Sequence, residues 1–252
     1  MGSFLNVVIF RLKTKETILK SRSHCVFCKK KLSWYELIPL LSFTIQKGRC
    51  RECHKKISWQ YPIIEIITGL LFLSALIYSA PGGSALGWQF PYIIYGLFLW
   101  LIFSFLIIIF VYDLKHYSIP NIIVLPAIVL SLFFDIYLWL STGQFFIFLS
   151  SIIAMIIAGG FFLILVLISK EKWMGMGDVF MGMLMGLILG TPQIFVALFF
   201  AFLIGAIISI ILLILKKKKM KSEIPFGPFL VLGTIIALLY GNVLLGWYLN
   251  LI

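Results

Sequence analysis

The sequence predicts an all-α, polytopic membrane protein of about eight transmembrane helices, with one small loop domain stapled through four cysteines. Three observations predict it. Of the 252 residues, 62% are hydrophobic and only 12% charged, a charged share roughly half that of a soluble domain. Apolar runs long enough to span a bilayer follow one another from about Ile63 to the C-terminus, and lipid-exposed backbone must satisfy its own hydrogen bonds, as a helix does. All four cysteines fall in a single basic segment.

The spans are expected at Ile63–Ala80, Gln89–Tyr112, Ile119–Leu140, Phe145–Ser169, Met174–Gly190, Pro192–Leu215 and Phe226–Leu249, after a shorter one at Met1–Leu12. Continuous apolar runs exclude a strand-built barrel, whose segments alternate. Twelve helical residues reach only about 18 Å, against a hydrocarbon core of about 30 Å. The first span therefore either starts late or is a half-height helix shielded by neighbours. Met1–Leu12 has neither the basic start nor the small-residue cleavage site of a signal peptide. The sequence is read without internal repeats or low-complexity segments.

The charge of +12 is distributed as topology would have it. Thirteen of the 21 lysines and arginines lie between Arg11 and Lys56, five between Lys216 and Lys221, and the others are Lys115, Lys170 and Lys172. The connections at Pro81–Trp88 and Ser141–Gln144 carry no charge. The alternation lets every basic loop face the cytoplasm, with both termini outside. Basic runs beside membrane spans set topology or touch anionic membrane lipid, so no nucleic-acid partner is expected.

Cys25-Val-Phe-Cys28 and Cys50-Arg-Glu-Cys53 form C-x2-C-x21-C-x2-C. Two such turns supply the four sulfurs of a structural zinc site. The alternative of two disulfides does not suit a reducing cytoplasmic loop. A loop of about fifty residues cannot bury a sufficient core alone, so a metal staple has a physical reason. His24 and His54 flank the cysteines and are read as exposed loop residues. A closed thiolate set leaves no position to activate water, and no H-E-x-x-H occurs.

Catalysis must then come from elsewhere, and acids are scarce. The three aspartates are Asp113, Asp135 and Asp178. Asp113 follows the span ending at Tyr112, and Asp178 closes Gly175-Met-Gly177-Asp178 at the start of another. Ionisable groups at membrane depth are functional candidates by default, and these two lie on the same side on different helices. A pair of close carboxylates can share one proton, one taking a proton from water while the other polarises a scissile carbonyl. Gly175 and Gly177 leave room for a substrate backbone and allow dihedrals other residues avoid. Taken singly, either aspartate could merely cap a helix. Asp135, towards the outer end of its span, is read as interfacial or structural.

These residues resemble a known family, the type IV prepilin peptidases, or prepilin leader peptidase/N-methyltransferases. Gly2-Ser-Phe-Leu-Asn-Val-Val-Ile-Phe-Arg-Leu is similar to the end of the family's first helix. Ser23-His-Cys-Val-Phe-Cys, Trp34-Tyr-Glu-Leu-Ile-Pro-Leu-Leu-Ser, Lys47-Gly-Arg-Cys-Arg-Glu-Cys and Tyr61-Pro-Ile-Ile-Glu65 resemble its loop. Asp113 with Ile119-Pro-Asn, the Gly-x-Gly-Asp at 175–178 and Pro225-Phe-Gly-Pro-Phe-Leu resemble its membrane signatures. The family's first helix is longer, Phe180 stands where it usually has lysine, and Gln60 where arginine is common before Tyr-Pro.

The resemblance implies cleavage of the basic leader from type IV prepilin or pseudopilin precursors at the cytoplasmic membrane face. It also implies N-methylation of the new amino terminus with S-adenosylmethionine, in the bacterial inner membrane. Asp113 and Asp178 would be the catalytic pair, Gly175 and Gly177 the substrate approach, and Cys25, Cys28, Cys50 and Cys53 the zinc ligands. Residues 1–12 would be a partial first helix, 13–62 the cytoplasmic zinc loop domain and 63–252 the transmembrane aspartyl peptidase domain. Two rivals remain at this stage. A presenilin-like intramembrane protease would share Tyr112-Asp113 and Gly-x-Gly-Asp but not the cysteine loop. A transporter or assembly scaffold would favour inverted repeats with broken helices, which the sequence does not show.

Overall fold

The computed structural model describes residues 1–14, 23–79, 90–215 and 224–251. Its helices are α1 (Gly2–Thr14), α2 (Leu41–Ile45), α3 (Gln60–Ser79), α4 (Phe90–His116), α5 (Asn121–Thr142), α6 (Phe145–Ser169), α7 (Met176–Leu189), α8 (Gln193–Ile214) and α9 (Gly227–Leu249), with a 3-10 turn at Trp34–Leu37. Among the described residues the only strand-like pairing is two isolated bridges. Six helices, α3 to α6 with α8 and α9, are long and apolar enough to cross a membrane. α1 and α7, at 13 and 14 residues, are shorter. The connection at Pro81–Trp88, the lysines from Lys216 to Lys221 and the segment Lys15–Arg22 lie outside the described residues.

One helix end differs from expectation in a way that bears on function. α4 runs past Tyr112 to His116, so Asp113 sits inside its last turn. Nothing in Asp-Leu-Lys-His breaks a helix. The stop comes at Tyr117, whose φ of 55° is left-handed and whose amide donates to the Asp113 carbonyl at 2.9 Å. Pro120 then holds Ile119 away from helical geometry.

The chain divides into two compact units, Met1–Ile108 and Ile109–Ile252. In the first, α1 lies along α3 and buries Leu5, Val8 and Ile9. Polar ties join them: Asn6 Nδ2 donates to the Tyr61 carbonyl (3.4 Å), Gln60 Nε2 to Asn6 Oδ1 (3.2 Å), and the Ser3 hydroxyl to Glu65 Oε1. α3 and α4 meet through Phe72 and Trp100, stacked at 5.1 Å, with the indole N–H donating to the Phe72 carbonyl.

The cysteine loop contains an internal repeat, against the expectation of none. Cys25-x-x-Cys28-x-Lys-Lys-Leu-Ser-Trp34 recurs as Cys50-x-x-Cys53-x-Lys-Lys-Ile-Ser-Trp59, 25 residues on. The backbone repeats with it. Cys25 and Cys50 amides donate to the carbonyls of Lys30 and Lys55, and Lys29 and His54 amides donate back to the cysteine carbonyls. Lys29 and His54 both turn left-handed, with φ of 55° and 51°, and bridges His24–Lys31 and Arg49–Lys56 close the two hairpins. Stacked arrays need three or more copies to bury a continuous core, and these two copies share one site instead.

The second unit is built on small residues. Gly182 and Gly186 on α7 face Ala154, Ala158 and Phe162 on α6: a Cβ at Gly182 would lie 2.6 Å from Phe162 Cδ2, and one at Gly186 would strike the Met155 backbone. On α9, a Cβ at Gly233 would strike the Ala197 carbonyl of α8. Apolar helices in lipid gain nothing from hydrophobic burial against each other, so close backbone approach supplies the contact. This packing fixes the position of α7, and α7 carries Asp178.

Candidate active site and metal centre

Asp178 occupies the first turn of α7, where its Oδ2 accepts the Gly175 amide at 3.1 Å in a reciprocal cap. Asp113 is 3% exposed, and its carboxylate accepts the amide of Gly227, the first residue of α9. Each carboxylate therefore sits at the N-terminus of a helix, where the unpaired amides and the macrodipole favour negative charge. The two are close enough to interact electrostatically.

Ile119 packs between their supports. A Cβ at Gly177 would lie 2.8 Å from Ile119 Cβ. One at Gly227 would lie 3.2 Å from Ile119 Cδ1 and 2.5 Å from Asp113 Oδ2. Gly177 is small because Ile119 occupies its side-chain space, whereas a Cβ at Gly175 would meet nothing nearer than 3.9 Å. Neither glycine has a positive φ, so the unusual dihedrals expected of this turn are not used. Gly175 alone offers open room beside Asp178. Gly227 and Ile119 take their roles from contact rather than from chemistry. The sequence signal for Gly227 is the glycine before Pro228 at a helix start.

Asp135 is elsewhere on α5, buried, with Oδ2 lacking any hydrogen-bond partner. It is enclosed between helices, as a structural group would be.

The four cysteine sulfurs lie within 4.8 Å of one another. Cys25 and Cys53 sulfurs are 3.9 Å apart, Cys28 and Cys50 4.0 Å. A tetrahedron of thiolates about zinc has edges of about 3.8 Å, so the residues fit a four-coordinate metal ion. The Cys53 and Glu52 amides point at Cys50 and lower its thiol to about 7. At Cys28 the Lys30 amide acts in the lowering direction, but burial and the neighbouring thiols outweigh it and raise the group to about 11. Cross-braces hold the hairpins: Lys30–Glu52 at 2.6 Å, Arg51 over the Tyr35 ring at 5.0 Å, and Lys55 over Phe27 at 4.7 Å. His24 and His54 are outside the sulfur cluster.

Comparison with known proteins bears on both sites. Residues 1–79 match the bacterial peptidase A24 N-terminal domain, and residues 100–210 match the type IV leader peptidase family. A prepilin leader peptidase/N-methyltransferase of Bacillus subtilis is 32% identical over 259 residues, covering 100% of this chain and 94% of that protein. The chain belongs to the type IV leader peptidase family. A second family member of the same description, from Legionella pneumophila, is 28% identical over 99% of this chain and 91% of its own. An Escherichia coli type 4 prepilin-like proteins leader peptide-processing enzyme is 30% identical over 93% and 88%. No solved structure matches the chain. With six membrane-length helices and these relatives, this family member is a multi-pass membrane protein.

Proposed function

We propose that this protein cleaves the basic leader from type IV prepilin or pseudopilin precursors and methylates the amino terminus it exposes. The single observation that carries the peptidase half is the pairing of Asp113 and Asp178, two interacting carboxylates held at two helix N-termini beside an open glycine. One carboxylate accepts a proton from the attacking water. The other donates its proton to the scissile carbonyl as the tetrahedral centre forms, and that proton balance is restored when the amine leaves. An extended substrate backbone passes Gly175, and its apolar helix stays in the bilayer.

The family names of the relatives support the methyl-transfer half, with S-adenosylmethionine as donor. The sulfur geometry supports zinc as the ion of the cysteine site, where it would staple the loop and leave no open position for chemistry. The distribution of basic residues supports a bacterial inner-membrane location with the cysteine loop and the dyad on the cytoplasmic side.

The test is to incubate the purified full-length protein with a pilin-like precursor and read the mature amino terminus by mass spectrometry. Cleavage just before the substrate's apolar helix, lost in Asp178→Asn, is the expected result. Cleavage inside that helix would favour the presenilin-like reading instead.

A further inference from the structure

The cysteine loop carries an apolar surface that neither the metal site nor the dyad accounts for. Leu41 and Ile45, one turn apart on α2, are 59% and 68% exposed, and Trp59 is 71% exposed. The Phe43 ring lies 5.2 Å from Trp59, which joins α2 to the approach of α3.

The neighbouring helix shows what lies against this surface. Along α3 the exposed large apolar residues are Ile63, Ile66, Ile67, Leu70, Leu73, Ile77 and Tyr78, spaced as one broad face of a helix. On a membrane-length helix such a face meets lipid. Trp59, four residues before Ile63, continues that stripe beyond the helix start. A tryptophan at the end of a lipid-facing stripe is where the bilayer meets water. α2 is fixed at this level. The Leu40 amide donates at 2.9 Å to Glu65 Oε2, in the second turn of α3, while the other oxygen of Glu65 takes the Ser3 hydroxyl. Leu40 adopts a φ of 61°, a costly backbone for leucine, so the carboxylate holds a conformation that the chain would not choose alone.

Charge completes the surface. Directly after α2, Lys47, Arg49, Arg51 and His54 line a cavity of about 580 Å³ with Gln46 and Cys50. From Ser23 to Trp59 there are eight lysines and arginines against two glutamates.

We propose that α2 and Trp59 form an interfacial foot of the cysteine loop. Leu41, Ile45 and Trp59 enter the headgroup layer of the bilayer that α3 crosses, and Lys47 and Arg49 lie on the phosphates of anionic phospholipids. The foot sets the height of the loop above the membrane, independently of any reaction the protein performs.

The test uses the full-length protein in nanodiscs of phosphatidylcholine, with or without phosphatidylglycerol. The fluorescence lost in Trp59→Phe, which keeps an aromatic ring against Phe43, gives the Trp59 share. That share should be quenched by lipids bearing a nitroxide at a shallow acyl position and shielded from aqueous iodide. Amide exchange over Leu41–Lys47 in the unaltered protein should be about fivefold slower per engaged basic residue when phosphatidylglycerol is present. Lys47→Gln with Arg49→Gln should erase that difference while bound metal per chain is unchanged. Iodide quenching of Trp59 as in a fully hydrated indole, with no effect of the shallow nitroxide, would overturn the foot. Equal exchange in both lipids would overturn the anionic-phosphate contact.

Discussion

The two compact units are held together by opposite means. In Ile109–Ile252 the helices touch backbone to backbone through Gly182, Gly186 and Gly233, with neutral polar ties such as Gln193 Nε2 to Asn242 Oδ1 at 2.7 Å added to that contact. In Met1–Ile108 the cysteine loop buries one cysteine and few other apolar side chains, and brings together four sulfurs, two cation–ring contacts and two ion pairs. The difference follows from the solvent. A helix in lipid has its backbone bonds satisfied already and needs only shape to pair. A short loop in water cannot bury enough apolar surface to offset its chain entropy, and a metal held by the four sulfurs would supply what the core lacks.

The chemistry should divide along the same line, and the largest effect expected is at the dyad. Asp113→Asn and Asp178→Asn should each lower prepilin cleavage by at least a hundredfold, about the share a general acid or base supplies. Neither should unfold the helices, because an asparagine oxygen can still accept the Gly227 or Gly175 amide. Mass spectrometry of the product and circular dichroism of the variant check the two halves. A variant that cleaves normally would remove Asp113 or Asp178 from the mechanism.

Metal loss should separate the units. Strong chelation, or Cys50→Ser, should unfold the cysteine loop and reduce methylation at least tenfold, since metal binding and folding are one equilibrium in such sites. The thermal transition of the helical unit should stay where it is. Elemental analysis should find near one zinc per chain beforehand. Metal-free protein with a protected loop would show that the sulfurs do not staple it.

Much of this was legible in the sequence because composition, cysteine spacing and the scarcity of acids are one-dimensional signals. Apolar runs gave the helices to within a few residues, and Asp178 with its glycines announced a helix start. Three features were not legible in the same way. The extension of α4 through Asp113 depended on where a left-handed Tyr117 would stop it. The contact of Gly227 with Asp113 is between helices far apart in the chain. The 25-residue repeat of the two cysteine hairpins was present in the letters, but outside its cysteines the match rests on five residues, two lysines, Leu32 or Ile57, a serine and a tryptophan, and its backbone hydrogen bonds made it evident.

A smaller effect tests the close packing. Gly186→Leu would put a side chain into the Met155 backbone, and Gly182→Leu into Phe162. Each should cost about 1–3 kcal/mol, the range for overpacked sites, and lower the detergent melting temperature. By shifting α7 each should also slow cleavage while leaving metal content intact. A change in metal content with no change in melting would reverse the contrast between the units.

The smallest effect is expected at Asp135, and it sharpens what burial alone means. Asp135 resembles Asp113 in being buried on a long apolar helix. It differs in company. Among the described residues no second carboxylate acts on it, and its Oδ2 has no hydrogen-bond partner. Its one electrostatic support is the Ser151 hydroxyl on α6. A group in that setting can join two helices, but it has neither the shared proton nor the open approach that hydrolysis needs. Asp135→Asn keeps the shape and one acceptor oxygen, so cleavage should stay within about twofold and stability within about 0.5 kcal/mol, as for a substitution that breaks no named interaction. Asp135→Leu removes the contact with Ser151 and should destabilise by about 1 kcal/mol without abolishing cleavage. Parallel cleavage and melting measurements on both variants check this. Loss of cleavage in Asp135→Asn with melting unchanged would mean that the chemistry reaches α5, and that the pair of helix N-termini is not the whole of the active site.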